Sequence, residues 1–152
     1  SGRLDPKLEG PSTNLADANN KRRTVYAMVS RHELDSLLRL FDFPDANISS
    51  SKRNETTVPQ QQLFVINSPF MIDQAKALAA RLQSEAPKSD DARIRRGFLL
   101  AFGRPATDKE VQLGLAYLGI SDSDEAKKEN RLSRWDRYAQ VLLGSNEFLY
   151  LD

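Results

Sequence analysis

The chain has 152 residues, 39% of them hydrophobic and 28% charged, a balance that suits one globular domain and is too apolar for a disordered tail. Its 22 basic and 21 acidic side chains leave a net charge of +1, without the basic excess that neutralising nucleic-acid phosphates demands, so no nucleic-acid partner is expected. There is no cysteine and one histidine, His32, which excludes disulfides, thiol nucleophiles, thiolate or two-histidine metal sites and covalent haem attachment within the chain.

Residues 1–21 read as an extended N-terminal arm, punctuated by Pro6, Gly10, Pro11, Asn14, Asn19 and Asn20. The chain opens Ser1-Gly2-Arg3 without a methionine, as an excised C-terminal piece of a larger protein would. Residues 22–152 read as a single helical domain. The short apolar run Thr24 to Ser30 suits a strand by its length, and a helical turn stays open. Leu34, Leu37, Leu38 and Phe41 fall on one face of a short helix that Pro44 stops. Residues 42–57 are polar and predict a long loop.

Pro59 suits a first helical turn, with Leu63, Phe64 and Ile66 as that helix's apolar part. Ser68-Pro69 supplies a cap and a first-turn proline for a longer helix, with Met71, Ala75, Leu78, Ala79 and Leu82 in one stripe. Asp90 or Asp91 can cap the next, which carries Ile94, Phe98, Leu99 and Phe102 and ends at Gly103. Thr107 and Glu110 fit a capping box before Val111, Leu115 and Leu118. Gly119 to Asn130 is a charged linker. Leu132, Trp135, Ala139, Leu142 and Leu143 line a last helix, and Gly144 closes it. No apolar run approaches the ~20 residues of a bilayer span, so no membrane insertion is expected. The fold class is therefore mainly α: five to six packed helices, an extended arm and room for one short strand pair.

Several blocks carry a family resemblance. They are Leu4-Asp5-Pro6-Lys7-Leu8 with Gly10-Pro11-Ser12, Arg22-Arg23-Thr24-Val25-Tyr26, and Phe41-Asp42-Phe43-Pro44-Asp45. Arg53-Asn54-Glu55-Thr56-Thr57-Val58-Pro59, Leu63 to Phe70, Gly103-Arg104-Pro105 and Asn146-Glu147-Phe148-Leu149-Tyr150 complete the set. With them the chain resembles the C-terminal domain of unknown function of large planctomycete proteins that also carry cytochrome-c-like domains. The resemblance implies an extracytoplasmic origin, where c-type haem is attached. As partners it implies upstream domains of the same polypeptide, one of them haem-bearing, while this piece holds no cofactor of its own. It supplies no catalytic residues. Proteins of that kind often have a cysteine just before the Arg-Asn-x-Thr-Thr loop, where this chain has Ser49-Ser50-Ser51.

The densest polar constellation is the loop from Ser51 to Thr57. Arg53 can hold a carboxylate or phosphate by its planar fork, and Asn54, Thr56 and Thr57 can add hydrogen bonds to a sugar or peptide. The plainer role is internal: Arg53 pairs with Asp42 or Asp45, and the neutral side chains satisfy loop backbone. Asp42, Asp45 and Asn47 offer oxygen ligands, but they lack the spacing, glycine and distal glutamate of a calcium loop, so no metal is assigned. His32 has no visible catalytic partner, and Trp135 and Tyr138 suit core packing more than sugar stacking. Phe148 to Leu151 either fold back on the core or form a docking surface. Together these features point to a non-catalytic interaction module, with part of a carbohydrate-acting enzyme, completed by upstream domains, as the alternative.

Overall fold

A computed structural model describes residues 1–30, 32–45, 47–49, 51–52, 56, 59–120 and 132–150. Among these, seven α-helices and one 3-10 turn make up the regular structure, and the chain is mainly helical. Two compact units divide it: residues 3–65 form one, and residues 1–2 with 66–152 form the other. No described helix is long and apolar enough to cross a membrane.

The 3–65 unit is built on loops. The apolar run after Arg23 forms a 3-10 turn, Thr24–Tyr26, instead of a strand. On either side of it lie two isolated parallel bridges, Asp5 with Arg22 and Thr13 with Ala27. The segment 1–21 contains no described helix and is tied back through these bridges. Arg22 adds to the tying. Its guanidinium donates to the carbonyls of Lys7 (3.3 Å), Glu9 (2.5 Å) and Pro11 (3.1 Å), and it stacks over the Tyr26 ring at 3.9 Å. The Tyr26 hydroxyl accepts from the Glu9 amide, and Glu9 and Gly10 both have positive φ (61° and 105°) to make that turn.

Helix α1, Ser36–Leu40, starts where the Asp35 carboxylate accepts from the Leu37 amide. It buries Leu38. Helix α2, Pro59–Asn67, begins on its proline, as the sequence predicts. Its buried face is not the predicted one. Gln61 and Val65, four apart, are buried, whereas Leu63 and Ile66 are each 55% exposed. Gln61 tolerates burial because its amide donates to two carbonyls, Leu40 at 2.9 Å and Thr56 at 3.1 Å. Phe64 meets Phe41 edge-on at 5.6 Å.

The other unit is a helix-on-helix core. Helix α3, Pro69–Glu85, is capped by Ser68 and buries the predicted stripe of Ala75, Leu78, Ala79 and Leu82. Helix α4, Asp90–Phe102, is capped by Ser89, whose hydroxyl accepts from the Ala92 amide, and not by either aspartate. Asp90 pairs instead with Arg93 at 2.7 Å. The helix ends at Gly103 with φ 69°, the left-handed cap expected there. Helix α5, Asp108–Gly119, opens on the predicted capping box of Thr107 and Glu110. Helix α6, Arg134–Leu143, opens on a second box, Ser133 with Asp136, and helix α7, Asn146–Leu149, follows.

Two apolar clusters fill this unit. Ala75, Leu78, Ala79 and Leu82 of α3 meet Ala139 and Leu143 of α6. Ile94 and Phe98 of α4 meet Val111, Tyr138 and Leu142. Trp135 packs against both clusters and meets Tyr138 edge-on at 5.6 Å, a core role for both rings. Leu99 and Leu115, predicted inside, are 46% and 39% exposed, and the buried positions beside them in the helical period belong to Gly97 and Gly114. There the absence of a side chain lets neighbouring helices in.

Candidate functional site

Asp42 follows α1 in a left-handed conformation (φ 56°) that a short polar side chain tolerates. Its carboxylate accepts from the Thr56 amide at 2.8 Å and from the Thr56 hydroxyl at 2.7–2.8 Å. Gln61 then donates to the Thr56 carbonyl. Asp42, Thr56 and Gln61 therefore close the two ends of the long loop onto the C-terminal end of α1. Asp45 is exposed and accepts from the Asn47 amide at 2.8 Å, an Asx turn within its own loop. Arg53, Asn54 and Thr57 lie outside the described residues. His32 is exposed, and its backbone amide donates to the Ser30 hydroxyl.

Of the predicted site residues that are described, the structure brings Asp42 and Thr56 together. Asp45 and His32 take part in turns of their own, with Asn47 and Ser30. The buried Gln61 is the member that sequence reasoning missed. Its signal is faint: a glutamine between two others, two residues after the helix-starting proline.

Asp42 and Thr56 also border an open groove of about 1110 Å³ in the 3–65 unit. Leu15, Met28 and Leu34 give it apolar walls, and Glu33 and Arg39 bring opposite charges to it. Neither Asp45 nor His32 lines it. Among the described residues no three of His, Asp and Glu gather as a metal-binding group. The arrangement can bind and brace. A proton-transfer pair is not assembled by its described members.

The other unit carries a dense ion-pair group among its described residues, and it is architectural. Arg104 follows the Gly103 cap and faces two carboxylates. It meets Glu110 through both terminal nitrogens (2.8 and 3.0 Å) and Glu147 through Nε and one terminal nitrogen (2.6 and 2.8 Å). Its guanidinium also lies 5.3 Å from the Phe98 ring centre and 5.7 Å from that of Phe102. Arg104, with help from Thr107, holds the Glu110 carboxyl down to about 2, and Arg104 lowers Glu147 as well. Burial pushes the Tyr138 phenol up to about 12, with Glu110 adding to the effect.

Both carboxyls lose their protons more readily folded than unfolded, so the stability they add is complete above their usual range near 4.5 and disappears as pH falls toward 2. Urea midpoints should therefore drop between pH 5 and pH 2. The Arg104→Gln variant should start lower at pH 7 and fall less over the same interval.

These features define a mainly helical protein in which Asp42 braces a loop and Arg104 braces helix ends. The chain belongs to the PSD1 family, a protein of unknown function (DUF1553), whose family model matches residues 1–118. No curated protein and no solved structure matches it.

Proposed function

We propose that this chain is a non-catalytic interaction module of a larger extracytoplasmic protein with c-type cytochrome domains, and that its 3–65 unit docks on those sibling domains. One observation carries the docking. Among the described residues of that unit, Leu38 and Val65 are the buried apolar side chains. Leu4, Leu8, Val25, Met28, Phe41, Ile48 and Leu63 are exposed by 37–74%. So much apolar surface on so small a core is what an interaction surface carries. The 66–152 unit, by contrast, encloses two apolar clusters of its own. The cytochrome-bearing parent, its planctomycete source and the extracytoplasmic compartment rest on the residue blocks from Leu4 to Tyr150 that resemble such proteins.

Hydrogen exchange tests the docking. The longer polypeptide and the isolated 152-residue chain should differ in amide protection within residues 3–65, where protection rises in the longer form. The core amides of α3 and α6 should exchange alike in both. Equal exchange throughout 3–65 would remove the docking reading.

A further inference from the structure

We propose that the outer face of the bridged N-terminal segment, formed by Leu4, Pro6, Lys21 and Arg23, docks an acidic surface of another protein domain. The proposal rests on the docking reading above and adds the chemistry of the partner. The parallel bridge between Asp5 and Arg22 sets two extended segments side by side. Side chains alternate along extended backbone, so the neighbours of the bridged pair share the opposite face. Exposure alternates along residues 20–23, whereas in the other segment Asp5 alone is half-buried and Arg3 and Lys7 are exposed with Leu4 and Pro6. Asp5 and Arg22 are half-buried, whereas Leu4, Pro6, Lys21 and Arg23 are all exposed, Leu4 by 60%. Val25, 74% exposed, follows in the turn.

Among the described residues the two cations of this face have no counter-ion. Lys21 and Arg23 make no side-chain hydrogen bond or ion pair with the described residues. The arginines of α3 and α4 behave differently: Arg81 and Arg96 meet Glu85, Arg93 meets Asp90, and Arg95 meets Asp91. An apolar centre beside two unneutralised cations is complementary to an apolar patch edged by carboxylates. The count of charges selects among anionic partners. Lipid recognition by basic clusters takes about 4–8 Lys or Arg side chains. Nucleic-acid binding draws on many phosphate contacts. Two cations with exposed leucine and valine fit a protein surface.

The test follows backbone amide signals of the 15N-labelled chain as three probes are added. One is a synthetic peptide alternating Glu or Asp with Leu or Phe. Another carries Lys or Arg at the acidic positions, and the third is a phosphatidylserine vesicle. The acidic peptide should shift the amides of Leu4, Lys21 and Arg23. Its affinity should fall about tenfold or more in the Lys21→Glu, Arg23→Glu double variant and should weaken with salt. Unchanged signals of Leu38, Gln61 and Val65, within the same unit, would show that the variant is folded there. Equal binding of the basic peptide, shifts elsewhere, no shifts, or binding by the vesicle alone would each overturn the proposal. If the longer polypeptide still protects residues 3–65 from exchange in that case, the docking reading stands and only the acidic partner is lost.

Discussion

Leu82→Ala should destabilise the protein by ~2–5 kcal/mol, the range for a buried leucine whose cavity cannot collapse. Leu82 is fully buried in the cluster that joins α3 to α6. Its Cδ1 also lies 3.4 Å from where a side chain on Gly97 would begin, so the loss opens a void between three helices. Urea unfolding followed by circular dichroism measures this as a lower midpoint with an unchanged slope. Leu63→Ala is the control. At 55% exposure it should change stability by less than about 0.5 kcal/mol, although both leucines look alike in the sequence. A cost below ~1 kcal/mol for Leu82→Ala would mean that the α3–α6 cluster is not the core.

The second large effect separates two glycines of one helix. A Cβ on Gly114 would lie 2.8 Å from Ile94 Cδ1 and 2.9 Å from the Tyr138 hydroxyl. Ile94 is fully buried and the Tyr138 ring is held by Trp135, so neither gives way cheaply. Gly114→Ala should lower stability by ~1–3 kcal/mol, and Gly114→Val by more. Gly119 has nothing within 4 Å of its Cβ position, so Gly119→Ala should leave stability unchanged or raise it by up to ~1 kcal/mol. Thermal melts should therefore show a lower midpoint for Gly114→Ala and an unchanged or higher one for Gly119→Ala. Equal shifts would count against the close approach of α4 and α6 to α5.

Local signals were the legible part of this fold. Ser68 before Pro69, Thr107 with Glu110, and Gly103 each act within one helical turn, and each does in the structure what its chemistry predicts. Ser89 displaced the aspartates as the α4 cap because its hydroxyl reaches the Ala92 amide, leaving Asp90 for Arg93. Burial was less legible, because it depends on which neighbour covers each face. Leu99 and Leu115 fit the helical period as well as any core residue, yet Gly97 and Gly114 are the points of close approach. A glycine in a helix carries no apolar signal, so a contact made by missing atoms is invisible to periodicity.

The site shows the same limit. That Asp42 and Thr56 belong to one loop system could be read from their polar, irregular surroundings. Their direct pairing, and the Gln61 amide beneath it, join residues fourteen and five apart through a loop without a repeat. The Arg104 network reaches further: it spans 43 residues from Arg104 to Glu147, beyond any local pattern.

The single guanidinium of Arg22 also shapes how the N-terminal segment comes to order. Its three acceptors, Lys7, Glu9 and Pro11, lie 15, 13 and 11 residues back along the chain. The first of these contacts to form bears most of the loop-closure entropy, and the other two then close short remaining gaps at little added cost. Fifteen residues of chain are thereby made into one cooperative element, ordered or released together around a single side chain.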